Sequence, residues 1–458
     1  MRRRLMTDLE AWQASQSRKP LILRGARQVG KTWLLKEFGR TRYESLAYVD
    51  CADNEQMAGL FARDFDIPRL IQGLELAADQ RIKPGATLIV LDEVQETPRA
   101  LTALKYFRER APEHHIAVAG SLLGVAMHAG TSFPVGQVDF RDLTPLTFSE
   151  FLAATGDERF AALLDAPEPD FAVIEPFHAQ LMEKLRVFMT VGGLPEAVTD
   201  YAETHSLLGV RDIQRAILDA YDQDISKHAP TEIVPKCRSL FRSLPAQLAT
   251  ENKRFFFSHV GPGVRSKTHD LALSWLTDAG QTRKVTRVNR PGLPLSAYAN
   301  DNFFKLFALD VGLLAALSRV PAETMLSPDA LFREFHGALA EQLVCQELVA
   351  RGAEPFYFAR DDSRGEIDFI VQSGSAVVPI EVKSGTNLAA RSLTNFVAQH
   401  RLDHAAKVSA LPYRASSATV VNVPLYLAGR ASQLAVGGRS LSGDSKLTDK
   451  PLSSPPAV

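Results

Sequence analysis

The chain has 458 residues, of which 45% are hydrophobic and 23% charged, and its formal net charge is −1. That length exceeds one compact core and predicts roughly two to four domains. The near-neutral balance excludes a globally basic nucleic-acid binder and a polybasic membrane-surface protein, so any such partner must be read from local patches.

The three cysteines, Cys51, Cys237 and Cys345, are far apart and show no paired metal spacing. They read as free thiols in a reducing compartment. The opening stretch MRRRLMTDLEAW lacks the apolar core of a signal peptide. No stretch approaches the ~18 apolar residues of a membrane span. A cytoplasmic protein is the expectation.

The first third alternates short apolar runs with helical patterns. Residues 21–25 (LILRG), 46–50 (LAYVD), 87–92 (TLIVLD) and 116–120 (IAVAG) read as buried strands. That rhythm predicts a parallel sheet with crossover helices. Between the first strand and a helix over 32–38 lies Gly25-Ala26-Arg27-Gln28-Val29-Gly30-Lys31-Thr32, which fits G-x-x-x-x-G-K-[ST]. The glycines let backbone N–H groups curl around a β-phosphate. Lys31 can reach the β- and γ-phosphates, and the Thr32 hydroxyl can ligate Mg²⁺. The helix N-terminus adds its dipole to this anion site. ATP with Mg²⁺ is the expected ligand pair.

The strand at 87–92 delivers Asp92 to its C-terminal end, where the carboxylate can hold the Mg²⁺ shell. Glu93 follows and is placed to orient and deprotonate an attacking water. Ser121 ends the strand IAVAG and would face the γ-phosphate if that strand lies beside the other two. Thr97-Pro98 reads as an N-cap and N1 pair opening the helix ALTALKYFRER.

From about Phe148 to Asp224 the pattern is mostly helical, with a three-proline loop over 165–176. Residues 227–290 carry twelve Lys or Arg against four Asp or Glu, a formal local charge of +8. Short helices there lead into the strand QTRKVTRVNR, an arrangement that often contacts DNA. A solvated charged face gives the same count.

A long helix follows in LFREFHGALAEQLVCQELVARG and ends at Gly352, a plausible C′ residue. The segment from Gly365 to Lys383 reads as a hairpin turning on Gly374-Ser375 as a type II′ turn. A two-residue turn there makes paired residue numbers sum to 749. Asp368 then opposes Glu381, and Glu366 opposes Lys383, all on one face. The other face is Ile367, Phe369, Val371, Val378, Ile380 and Val382. Opposed carboxylates can share a Mg²⁺ that activates water, with Lys383 adding charge and Glu341 on the preceding helix completing the set. Ordinary cross-strand ion pairs, Glu366 with Lys383, are the plainer alternative. After about Gly437 the chain is rich in Ser, Gly and Pro and reads as a disordered tail.

The strings GARQVGKTW, LDEVQ, AGSLLG, LTPLTFSEFL, VGGLPEAV, YDQDISKH, FKLFALDVGLL, GEIDFIV and IEVKSG together resemble a prokaryotic family. Its members are AAA-type P-loop ATPases whose C-terminal domain of unknown function is similar to PD-(D/E)xK restriction-endonuclease-like nucleases. The resemblance spans about Arg3 to Arg430. It implies an α/β protein with an ATPase core of the additional-strand class over 1–153 and a helical region over 154–226. A winged-helix-like basic region over 227–330, a nuclease-like α/β domain over 331–435 and a tail over 436–458 complete it. Lys31, Thr32, Asp92, Glu93 and Ser121 match the nucleotide-site positions. Glu341, Asp368, Glu381 and Lys383 match the nuclease-like signature. Many relatives carry Gly-Arg after the sensor strand, where this chain has Gly136-Gln137; Arg141 is the substitute at hand.

The expected function is a Mg²⁺-dependent ATPase coupled to a C-terminal domain that binds or cleaves nucleic acid. The alternative is an ATP-driven switch in a protein-interaction module whose C-terminal domain is catalytically inactive. ATPases of this class commonly work side by side, which leaves a homo-oligomer open.

Overall fold

The computed structural model describes residues 1–121, 123–127, 136–250, 253–322, 324, 333–360, 365–384 and 391–437. Five parallel strands form the first sheet: β1 (Leu21–Arg24), β2 (Ser45–Asp50), β3 (Thr87–Asp92), β4 (His115–Ala119) and β5 (Asp139–Asp142). Their order is β2-β3-β4-β1-β5, so β4 stands between β1 and β3. Every residue of β3 and β4 is buried. Helices cover both faces, which is why these strands read as unbroken apolar runs rather than alternating ones. Leu21 and Leu23 face a core that includes Phe38, while Ile22 faces another that includes Phe61 and Phe107.

The helix after β3 starts at Pro98, but the Thr97 side chain makes no capping hydrogen bond. The expected N-cap is therefore absent in its side-chain form, and Thr97 is buried instead. The three-proline loop contains a one-turn helix, Phe171–Ile174, and a 3₁₀ turn, Glu175–Phe177.

A second sheet has eight strands. They are β6 (Thr282–Val288), β7 (Ala299–Ala308), β8 (Phe356–Ala359), β9 (Glu366–Ser373), β10 (Ala376–Lys383), β11 (Ala405–Ser409), β12 (Arg414–Ala415) and β13 (Val420–Pro424). Their order is β12-β13-β11-β10-β9-β8-β6-β7. The basic ribbon β6–β7 thus joins the C-terminal sheet across residue 330, through the pair Arg287↔Tyr357. The expected hairpin register holds over five pairs, from Ala376↔Ser373 to Ile380↔Phe369. Gly374 supplies the positive φ, +59°, that its turn demands. All six residues of the apolar hairpin face are buried. The Arg333–Ala350 helix ends as expected, with Gly352 at φ +82°. The Ala431–Gly437 helix runs two residues into the expected tail, and 438–458 lie outside the described residues. Among the described residues, no helix is long and apolar enough to cross a membrane.

The central helices meet at Asp310. Its carboxylate accepts backbone N–H bonds from Gly193 (2.7 Å) and Leu313 (3.1 Å) and one from the Gln346 side chain (3.3 Å). Gly192 lies at φ +79°, and a Cβ there would collide with Asp310. The strings VGGLPEAV and FALDVGLL are therefore two halves of one buried joint. It seats Pro195 against the phosphate loop, 3.3 Å from where a Cβ on Gly30 would stand.

Glu347 is a second buried carboxyl, 5% exposed, and its Oε1 accepts the Phe148 N–H at 2.6 Å. Burial pushes it up to about 7, against the pull of Arg351. A raised native value means that its stabilising contribution is complete at low pH and is lost as pH rises through about 7. Glu347→Gln should flatten the pH dependence of the melting temperature between about pH 4.5 and pH 7, by an equivalent of roughly 3 kcal/mol. Thermal melts of both proteins across that range test this.

Candidate nucleotide site and the C-terminal acid cluster

The loop leaving β1 uses backbone conformations that favour glycine: φ is +152° at Gly25 and +93° at Gly30. A Cβ on Gly25 would collide with the Leu143 carbonyl. The Lys31–Arg42 helix starts at the loop's end and turns its free N–H groups toward it. Lys31 is buried, and its Nζ donates to the carbonyls of Gly25 (3.0 Å) and Ala26 (2.8 Å). Burial lowers the ammonium to about 8, although Glu93 and Asp92 oppose the shift.

Thr32 Oγ1 donates to Asp92 Oδ2 at 2.5 Å, and the Tyr48 hydroxyl donates to the same oxygen at 3.1 Å. A hydroxyl and a carboxylate brought this close are hard oxygen donors of the kind Mg²⁺ takes while keeping several waters. The residues present therefore fit the expected ion.

Glu93 stands in the left-handed region, φ +47°, at the sharp turn after β3. Its Oε2 accepts from Gln95 Nε2 (2.5 Å) and Ser121 Oγ (3.1 Å), with the Ser121 N–H at 3.4 Å. Burial raises this carboxyl. The Gln95 hydrogen bond, the Lys31 charge and the two Ser121 bonds outweigh it and hold it below the usual range. All three donors serve Oε2, which leaves Oε1 as the oxygen to address a water.

The loop is also gripped from outside. Arg3 Nη1 donates to the Val29 carbonyl at 3.0 Å and its Nε to Glu150 at 3.1 Å. On the Leu207–His228 helix, Asp224 pairs with Arg27, and the Tyr221 hydroxyl donates to the Arg27 carbonyl at 3.1 Å. Gly280, just past the Ser266–Asp278 helix, packs on Ala26; a Cβ there would lie 3.2 Å from the Ala26 Cβ. Arg141 lines a basin of about 1170 Å³ that it shares with Gly25, Ser121 and Arg283. Gln95, Tyr48, Tyr221 and Asp224 were not singled out from the sequence as site residues.

Residues 17–152 match the family model "AAA domain". The N-terminal region is an AAA-type P-loop ATPase domain. Residues 182–324 and 336–426 match two models described as domains of unknown function, DUF8612 and DUF4143. A search of curated proteins gives no match. Among solved structures, the chain is similar to a Walker-type ATPase of Pyrococcus abyssi, at 14% identity over 70% of this chain and 96% of that one, with a TM-score of 0.45. It is also similar to the Aeropyrum pernix ORC1 protein in complex with DNA, at 15% identity over 71% and 92%, TM-score 0.25. A third is the RuvB Holliday-junction branch-migration motor of Thermotoga maritima, at 14% over 61% and 87%, TM-score 0.26. With TM-scores below 0.5 these likenesses carry no argument, and the AAA domain rests on the family model.

Beyond the AAA domain, the C-terminal carboxylates gather as expected, but around lysines. Lys305 of β7 places Nζ 2.5 Å from Glu366, 3.4 Å from Glu341 and 3.7 Å from Asp368. Lys253 also pairs with Glu341. Lys383 pairs with Glu381 at 2.7 Å, and not with Glu366 across the strands. Asp368 Oδ2 accepts the Val382 N–H at 2.7 Å. Among the described residues, no group of three His, Cys, Asp or Glu is disposed to hold a metal ion. The expected Mg²⁺ seat of Glu341, Asp368 and Glu381 thus does not fit the ion in this arrangement, because ammonium groups already compensate the acids.

Gln95 tests the description of the AAA site. Gln95→Leu should lower kcat for ATP hydrolysis roughly tenfold, the weight of one hydrogen bond to a charged group, with little change in KM. The acid limb of the pH–rate profile should move to higher pH, since a donor to the carboxylate is lost. A pH–kcat series on both proteins checks this; an unmoved limb would make Gln95 a packing residue.

Proposed function

We propose that this chain is a Mg²⁺-dependent ATP hydrolase acting as a nucleotide-driven switch, with a C-terminal domain that does not cleave nucleic acid. The observation that supports it is the clamped carboxylate of Glu93 beside Lys31 and the Thr32–Asp92 pair. Backbone N–H groups of the loop and Lys31 hold the phosphates. Thr32 and Asp92 would hold Mg²⁺, which supplies charge neutralisation at the terminal phosphates. Glu93 Oε1 orients a water in line and accepts its proton, while Ser121 and Gln95 keep the carboxylate aimed. The contacts of Arg27 with Tyr221 and Asp224, and of Ala26 with Gly280, give loop movement a direct route into the middle region.

A second reading, nucleic-acid contact, is favoured by the Ser266–Asp278 helix, where Arg265 and Lys267 are exposed near the first turn, and by exposed Arg283 on β6. The local charge is weaker than the sequence suggests. Arg238 and Arg242 pair with Asp222, Lys284 with Asp301 and Lys253 with Glu341, all carboxylates outside 227–290.

Glu93→Gln should bind ATP·Mg²⁺ with unchanged affinity and hydrolyse it ~10²-fold more slowly. Wild-type turnover in that variant would place the base elsewhere. Plasmid DNA incubated with the wild-type protein, Mg²⁺ or Mn²⁺ and ATP should stay intact. Cleavage abolished by Asp368→Ala would replace the switch reading with a nuclease.

A further inference from the structure

We infer that the Lys305 ammonium is the resident cation of the C-terminal acid cluster, holding Glu341, Glu366 and Asp368 where a divalent ion would otherwise be needed. This does not rest on ATP hydrolysis; it concerns a second site, assembled by another part of the chain.

Lys305 sits in β7 between Phe304 and Leu306, opposite Val285 of β6, and is fully buried. A lysine in that position is unfavourable unless its charge is answered. Here it is answered three times, by Glu341 from the Arg333–Ala350 helix and by Glu366 and Asp368 from β9. The Tyr357 ring of β8 adds its face at 5.2 Å. Burial alone pulls the value of such an amine down. Glu341, Glu366 and Asp368 outweigh burial and hold it charged, well above the ordinary lysine value.

The acids divide the opposite way. Glu341, with Lys305 and Lys253 beside it, is held low despite its burial. Asp368 is pushed up to about 8, by burial first and then by the charge of Glu341. With Lys305 and Lys253 packed among them, these carboxylates already have their cations, and the place a divalent ion would take is filled. Glu381 remains beside it, buried, bonded to Lys383 through Oε1 and with Oε2 lacking a hydrogen-bond partner.

The consequence is structural as well as chemical. Lys305 and Lys253 precede residue 330, and the carboxylates follow it, so the ion cluster fastens the β6–β7 ribbon to the C-terminal sheet. The cluster takes a metal only when the lysine is withdrawn.

The test is thermal melting of nucleotide-free, full-length protein in EDTA and in millimolar Mn²⁺. Lys305→Met keeps the side-chain bulk and removes the charge. It should melt several degrees below wild type in EDTA and recover in Mn²⁺ as the ion takes the vacated place. Wild type, with an identical phosphate loop, should not respond to Mn²⁺. The double variant Lys305→Met/Asp368→Asn should fold and ignore Mn²⁺. A Lys305→Met protein that melts like wild type, or that folds and ignores Mn²⁺, overturns the inference. So does a wild-type protein stabilised by Mn²⁺ in a manner lost in Asp368→Asn. If Lys305→Met and the double variant both fail to fold with or without Mn²⁺, Lys305 is a packing element and the inference falls.

Discussion

Asp310 lies where the central helices meet the Arg333–Ala350 helix, and its buried carboxylate is tied to Gly193, Leu313 and Gln346. A carboxylate taken out of water is tolerated only when donors converge on it, so this one dictates the backbone around it. Gly193 must come close enough to donate, which leaves no room for a side chain at the neighbouring Gly192. The Gly193 carbonyl in turn receives the Leu146 N–H at 2.6 Å, and Gln346 brings in the long C-terminal helix. The wall built this way carries Pro195 to the outside of the phosphate loop. The nucleotide loop is thereby enclosed by residues from far along the chain.

The two acidic centres use the same residue types under opposite electrostatics. At the nucleotide site, Asp92 and Glu93 are met by hydroxyl, amide and backbone donors, which orient carboxylates without cancelling their charge. Charge is left over for a cation and for proton transfer. At the C-terminal cluster, Glu341, Glu366 and Asp368 are met by an ammonium at full burial, which cancels charge and fixes geometry together. The first arrangement suits chemistry on a bound polyanion. The second suits a joint between two parts of a sheet.

Much of this was legible in the sequence where the cause is local. The strands of the first sheet announce themselves because burial on both faces demands unbroken apolar runs, as in Thr87–Asp92. Lys31, Thr32, Asp92 and Glu93 follow from loop and strand-end geometry. The hairpin register followed from a single turn at Gly374. What escaped is non-local. Register puts Asp368 and Glu381 on one face but says nothing of the strand that covers it, so nothing in FKLFALD marks Lys305 as their partner. Arg27 and Asp224 are 197 residues apart, and no periodicity links them. Thr97 has the residue type of a cap, yet its side chain is buried and makes no capping hydrogen bond.

The central claim is that the nucleotide state at Lys31 and Glu93 is passed to the middle region through the loop's outer contacts. Amide hydrogen exchange on the Glu93→Gln chain, loaded with ATP·Mg²⁺ and compared with ADP·Mg²⁺, measures this directly. The account predicts altered protection at residues 221–228 and 277–283 as well as in the loop at 25–32. Changes confined to the loop would contradict it and leave the ATPase domain working apart from the rest of the chain.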